Sequence, residues 1–250
     1  MTAIRVTVTR VTGSTPREAG ACMLVTAAGI TGTIGGGALE WAAMSQARTM
    51  LAEGQTRAER TFPLGPALGQ CCGGAVTLRL ELADGLPDSP RAPLWVWGAG
   101  HVGRAIVQVM APLPHFDVTW VDVAPDRFPP AIPDGATPVT AADPAVLTAH
   151  APPEADHLIL TYSHDLDLAL CHALLTRGFA SCGLIGSATK WARFRGRLAA
   201  LGHAPAQIAR IACPIGDPAL GKHPQAIALG VAAALLRAQE IQGNKGNRAG

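Results

Sequence analysis

Cys71 and Cys72 lie side by side in LGQCCGGAV, behind the helix-breaking PLGPALG and ahead of Gly73 and Gly74. Adjacent thiols supply soft sulfur, the ligand class suited to a thiophilic metal. Free cysteine is also a small hydrophobe that packs well in cores, so packing, a disulfide, a metal site and a ligand contact all stay open for the pair. Neighbouring side chains of an extended strand point to opposite faces. Both thiols therefore reach one metal only if the following glycines bend the chain. A second group is GAGHVG, where Gly98, Gly100 and Gly103 form a GxGxxG turn around His101. Asp122 follows about 20 residues on, the spacing at which an acid meets a ribose diol in dinucleotide sites. Third come YSHDLD, with Ser163, His164 and Asp165, and GSATK, with Ser187 and Lys190. Last, IGGGALE sets Gly35, Gly36 and Gly37 before a helix, where bare N–H groups can form an anion nest.

The elements that must position these residues divide into two grammars. IRVTVTRV alternates apolar and polar residues, ACMLVT reads as a second strand, and AVTLRLEL places Val76, Leu78, Leu80 and Leu82 on one face. Between them ALEWAAMSQARTMLAEG reads as a helix, with Leu39, Ala43, Ala47, Met50 and Leu51 at core spacing, Trp41 packing, and Gly54 as the stop. Residues 1–83 are thus expected to form a small α+β domain. ADGLPDSPRAP carries three prolines, and residues 84–93 read as a linker.

From Leu94 the pattern becomes strand, helix, strand. PLWVWGAGHVGRAIVQVMA is an apolar strand, a glycine turn and a helix; FDVTWVD and TPVT are further strands. DHLILTYSHDLDLALCHALLTRG is again strand and helix, and ASCGLIGS is a fifth strand. The helix after it turns Trp191, Phe194, Leu198 and Leu201 inward, and HPQAIALGVAAALLRAQE closes the chain with Pro224 in its first turn. Residues 94–240 are expected to form a Rossmann-like α/β domain with a parallel sheet wrapped by helices, and residues 241–250 a frayed, disordered tail. In such a sheet a ligand lies beyond the carboxyl ends of the strands. That places Gly98, Gly100, His101, Gly103, Asp122, His164, Ser187 and Lys190 on the candidate cofactor-binding list, with Gly36 and Gly37 as a second cradle. The bland readings stand beside it: His164 and Ser187 as helix caps, Asp122 as a turn residue, Arg17 and Glu18 as an ion-paired turn.

Composition narrows the class. With 48% apolar and 15% charged residues the chain buries a large core. A net charge of +2 with no basic run argues against nucleic acid. The amino terminus alternates, unlike a signal peptide, and no apolar run approaches the roughly 20 residues of a membrane span. A cytoplasmic protein with reduced thiols is expected. The six cysteines show no CxxC pair, which weighs against disulfides and zinc, and Cys22, Cys171, Cys182 and Cys213 read as packing.

GSTPREAGACMLV, GTIGGGALE, LGQCCGG, WVWGAGHVG, GLIGSATK and PIGDPALGKHPQAIAL follow one another along nearly the whole chain. Together these blocks resemble the XdhC/CoxI family. The resemblance implies an accessory protein rather than an enzyme, one that binds molybdenum cofactor, shields it, supports its sulfuration and promotes its insertion into xanthine dehydrogenase. It implies the dehydrogenase's molybdenum subunit and a cysteine desulfurase as partners; a homodimer stays open. On this reading Cys71 and Cys72 face the metal and the glycine turn holds the phosphate. An NAD(P)-binding oxidoreductase and a cofactor-free adaptor between dehydrogenase and desulfurase remain the alternatives. Three departures stand out. The chain opens directly on its first strand, without the leading helical segment common in relatives. It has His223, Pro224, Gln225 and Ala226 where they often carry a Thr-Pro-Glu-Glu-like helix start. Ala188 follows the Gly-Ser turn where Arg is frequent, leaving Lys190 as the nearest cation.

Overall fold

The computed structural model describes residues 2–65, 73–87 and 91–246, and the chain divides into two compact units, Met1–Asp88 and Ser89–Gly250. In the first unit, strands β1 (Ala3–Thr12), β2 (Cys22–Val25), β3 (Ile30–Gly32), β4 (Arg57–Pro63) and β5 (Ala75–Ala83) form one antiparallel sheet in the order β3-β2-β1-β5-β4. The alternation read from sequence sets the register: Val6 faces Leu80 and Val8 faces Leu78, and all four are buried. Helix α1 (Gly37–Glu53) covers that face with Leu39, Ala43, Ala47 and Met50, and ends at Gly54 in the left-handed conformation.

Two strands of this sheet went unread. β3 is three exposed residues, and β4 is an edge strand whose RAERTFP has few apolar residues to reveal a period. Two side chains expected inside also lie outside. Leu82 is 48% exposed near the carboxyl end of β5, and Trp41 is 70% exposed on the outer face of α1 rather than packed.

In the second unit six strands run parallel: β6 (Ala92–Trp97), β7 (Phe116–Asp122), β8 (Ala136–Thr140), β9 (Asp156–Ile159), β10 (Ser181–Leu184) and β11 (Ile211–Ala212). β6 begins inside the stretch read as a linker, and β11, only two residues long, was not anticipated. The helices are α2 (His101–Met110), α3 (Pro144–Leu147), α4 (His164–Arg177), α5 (Ala188–Ala200), α6 (Pro205–Ile208) and α7 (Pro224–Gly246). Residues 241–246 extend α7 instead of fraying; residues 247–250 lie outside the described range.

The order β11-β10-β9-β6-β7-β8 is a doubly wound sheet that reverses direction between β6 and β9. Alternate residues of β6 feed two cores. Trp95 and Trp97 face α4 and α5, while Leu94 and Val96 face α2 and α7. Across the reversal, the Trp97 indole N–H donates to Nδ1 of the buried His157 at 3.1 Å. Burial, aided by the Arg177 charge, pushes the His157 pKa down to about 4, so the imidazole is neutral.

On α5, Phe194 and Leu198 are buried as expected and Trp191 packs against them, but Leu201 is 50% exposed just past the helix end. Leu198→Ala is therefore expected to cost about 2–5 kcal/mol, and Leu201→Ala no more than about 0.5 kcal/mol, as measured by urea unfolding.

Candidate functional site

The site is built at the sheet reversal. β6 ends at Trp97, and Gly98 turns the chain with φ 120 while its N–H donates to the Val121 carbonyl at 2.8 Å. A Cβ on Gly98 would overlap the Leu160 carbonyl, and one on Gly103 would overlap the Gly98 carbonyl. Both glycines are thus required by packing between β6, α2 and the end of β9. Gly100 differs. It is the N-cap of α2 with φ −72, and a Cβ there meets nothing within 4 Å. Among the described residues nothing needs glycine at that point, so its bareness leaves room there. α2 has no side-chain cap and no acid in its first turn, so its first N–H groups and positive dipole end face outward.

Asp122, 4% exposed, serves the turn itself. One carboxylate oxygen accepts the Ala99 N–H at 2.6 Å. The other accepts the Val123 N–H at 2.7 Å and lies 3.0 Å from Nε of Arg127. The acid at the ribose-diol position is already spent on backbone amides and an arginine. Arg104 Nε donates to the Ala99 carbonyl at 2.9 Å and its Nη2 to the Arg127 carbonyl at 2.7 Å. The Arg127 guanidinium stacks 4.4 Å above the ring of Tyr162. Ala99, Gly100, His101, Arg104, Asp126 and Arg127 line a depression of about 330 Å³. It joins open backbone amides to two guanidinium groups, an arrangement suited to a phosphate or similar anion. Arg104, Arg127 and Tyr162 escaped the sequence reading. Arg104 was findable, since it stands one residue after the last glycine of the motif; Arg127 and Tyr162 carry no local signal.

Beyond β9 and β10, Ser163, Ser187 and Lys190 make contacts within the chain, while His164 is exposed. Ser163 caps α4 by accepting the Leu166 N–H at 3.4 Å. His164 is exposed as the first residue of that helix, edge-on to Phe194 at 6.4 Å. Ser187 caps α5 through the Lys190 N–H at 3.2 Å. Lys190, the nearest cation to the Gly-Ser turn, is engaged within the chain. Its Nζ sits 2.5 Å from Asp167 and donates to the Ile185 carbonyl at 3.0 Å, with both side chains nearly or wholly buried. Asp167 also accepts the Thr161 N–H at 3.1 Å and its hydroxyl at 2.7 Å. The pair ties the end of β9 to the segment following β10.

The Gly35–Gly37 turn does form a nest, with positive φ throughout, and the chain fills it. A carboxylate oxygen of Glu40 accepts N–H groups of Ile34 and Gly36, each at 3.1 Å, and the Thr33 hydroxyl at 2.7 Å. Burial alone would raise the Glu40 pKa, but these three hydrogen bonds prevail and hold it below the ordinary value. The Gly36 N–H is therefore committed to an internal anion, which corrects the expectation of an empty cradle at Gly36 and Gly37. The turn beside it is ion-paired, Arg17 to Glu18 at 3.1 Å.

Cys71 and Cys72 lie outside the described residues. Gly73, which follows them, bridges to Ser14. Of the remaining thiols, Cys171 and Cys182 are buried and Cys22 and Cys213 half-buried. Burial pushes Cys171 up to about 12 and raises Cys182 and Cys213 as well. Among the described residues no group of three or more His, Cys, Asp or Glu is placed to hold a metal, and no helix is long and apolar enough to cross a membrane.

Residues 94–235 match the XdhC Rossmann domain, and residues 2–62 match the XdhC and CoxI family. The chain belongs to the XdhC and CoxI family. This XdhC-family chain is 32% identical to the uncharacterised protein YqeB of Escherichia coli K12 over 234 residues, covering 90% of the chain and 41% of YqeB. It thus spans less than half the length of that relative. Among solved structures, a xanthine dehydrogenase from Bacillus halodurans aligns at TM-score 0.77 and 19% identity, covering 95% of this chain and 91% of that one; the likeness is one of fold.

Two outcomes are expected for this XdhC-family protein. Lys190→Met strands the buried Asp167 charge and should cost about 3–5 kcal/mol; urea unfolding decides. Because the Glu40 pKa is lowered on folding, its contribution is present above the unfolded value near 4.5 and is lost as pH falls through the folded one. Stability measured between pH 7 and pH 3 should therefore fall less steeply in Glu40→Gln than in the parent chain.

Proposed function

We propose that this protein is an accessory factor for xanthine dehydrogenase that binds molybdenum cofactor, shields it and hands it to the apoenzyme, with no turnover of its own. Family membership supports the class of role. The observation that carries the binding part is Gly100, a glycine that no internal contact requires, at the uncapped start of α2 beside Arg104 and Arg127. This cradle fits the phosphate end of the cofactor. Gly98, Gly100 and Gly103 shape the backbone, His101 and the N–H groups after it face the phosphate, and the guanidinium groups balance its charge. Cys71 and Cys72 are the residues proposed for the metal end, where thiolate suits molybdenum. The metal's role there is to carry the oxo or sulfido ligand that a cysteine desulfurase exchanges. The desulfurase and the dehydrogenase's molybdenum subunit are the proposed partners.

A second reading, an NAD(P)-binding protein, draws support from the strand order and the glycine turn. The engagement of Asp122 with Ala99 and Arg127 weighs against an NAD-type ribose contact. Calorimetric titration with NAD(H) and NADP(H) separates the two readings, since micromolar binding of either would favour the second.

The variant that tests the cradle is Gly100→Asp. Aspartate is a preferred N-cap and has open space there, so α2 should be retained or slightly stabilised. The added carboxylate repels phosphate. The parent chain, purified without oxygen and loaded with cofactor, should retain molybdenum and pterin in equal amounts, and Gly100→Asp should bind at least about tenfold more weakly. Equal retention by both would remove the glycine turn from the binding site.

A further inference from the structure

The order of the parallel sheet places the end of β6 between the ends of β7 and β9. Two side chains meet across that gap. Arg127 comes from the segment after β7 and Tyr162 from the segment after β9, and the guanidinium lies 4.4 Å above the centre of the tyrosine ring. Neighbouring strands are about 5 Å apart, so residues from beyond β7 and β9 touch only by reaching over the strand between them. The stack therefore crosses the carboxyl end of β6, beside Gly100 and Arg104, with which Arg127 lines the depression.

Both halves of this bar are fixed by the chain. Arg127 Nε lies 3.0 Å from the buried Asp122, and the Arg127 carbonyl accepts Nη2 of Arg104 at 2.7 Å. Tyr162 is 64% exposed, yet its two neighbours are tied down. The Ser163 N–H donates to the Thr161 hydroxyl at 3.2 Å, and that hydroxyl donates to Asp167 at 2.7 Å. Asp167 is held in turn by Lys190. A buried ion pair thus anchors the turn that displays an exposed aromatic ring, and the ring holds a guanidinium by its face.

In a sheet of this strand order an extended dinucleotide lies across the reversal, with its diphosphate over the glycine turn and one ribose at the acid ending the second strand. Here that route runs from Asp122 past Gly100 towards β9, and the Arg127–Tyr162 stack stands in it. A ligand that ends in a phosphate needs only the near side of the stack, where the first amides of α2 meet Arg104 and Arg127. We infer that Tyr162 is a specificity-determining residue of the glycine turn. Stacked on Arg127, it admits a compound that ends in a phosphate monoester and turns away one that continues through a diphosphate to a second nucleoside. The inference rests on the phosphate cradle proposed at Gly100.

The test uses the full chain and two probes, inorganic phosphate and NADH. Tyr162 is the chain's one tyrosine, so ring-labelled tyrosine gives a single set of NMR signals beside the turn. Phosphate should shift those signals in the parent chain and leave them unmoved in Gly100→Asp. No shift in the parent overturns the cradle, and the inference with it. NADH, followed by its fluorescence, should bind Tyr162→Ala at least about tenfold more tightly than the parent chain. Tyr162→Phe keeps a ring over Arg127 and should match the parent. A damaged fold does not produce a gain of binding, so the gain separates exclusion by the ring from a structural role. With the phosphate shift present, NADH binding as tight in the parent as in Tyr162→Ala, or absent from both, overturns the inference alone. So does a gain in Tyr162→Phe equal to that in Tyr162→Ala.

Discussion

The carbonyl of Gly98 occupies the space a side chain at position 103 would need. Much of the second unit follows from that approach. It draws the first turn of α2 onto the end of β6, so the helix starts at the place where the sheet reverses between β6 and β9. It also brings the turn within reach of Asp122, whose carboxylate locks Ala99, and of Trp120, whose indole N–H donates to the Gly98 carbonyl at 3.1 Å. The turn is held on three sides by its own chain. Only the side at Gly100 is left bare.

The two glycine nests show how alike motifs part in use. Both precede helices and both present amides to an anion. In the first unit the anion is Glu40, four residues beyond Gly36 and one turn into α1, at the spacing that lets a side chain reach back to the helix start. In the second unit the residue at the matching distance from Gly100 is Arg104, which cannot satisfy an N–H and donates to the Ala99 carbonyl instead. A single residue type one turn into the helix decides whether a nest is furnished from within or left for a guest.

What the sequence disclosed, and what it hid, divides along the reach of each interaction. The alternation in β1 and β5, the apolar strand before GAGHVG and the helix after it are local patterns, and they positioned the doubly wound domain and its turn. β3, β4 and β11 are short or edge strands that exist because a neighbour pairs with them, so their own residues say little. The pairing of Lys190 is hidden in the sequence because its partner, Asp167, lies 23 residues away within a helix whose periodicity gives no hint of an inward charge. Asp122 was read correctly as the acid at the end of β7, yet its use is decided by Ala99 across the sheet. Residue type points Trp41 inward, alternation points Leu82 inward and helical spacing points Leu201 inward. The first lies on the outer face of its helix, and the other two sit where an element runs past the core that would cover it.

The hydrogen bond between Trp97 and His157 spans the same sheet reversal that carries the turn. It needs an imidazole without a proton on Nδ1, and burial keeps the ring in that form down to a pKa of about 4. The seam between the two halves of the sheet is therefore joined by uncharged partners shielded from solvent. Changes in salt that weaken exposed ion pairs such as Arg197–Asp165 leave it untouched, and so do ordinary excursions in cellular acidity. Across that range the donor and acceptor of the seam keep their roles, so the strands flanking the turn stay fastened at Trp97 and His157.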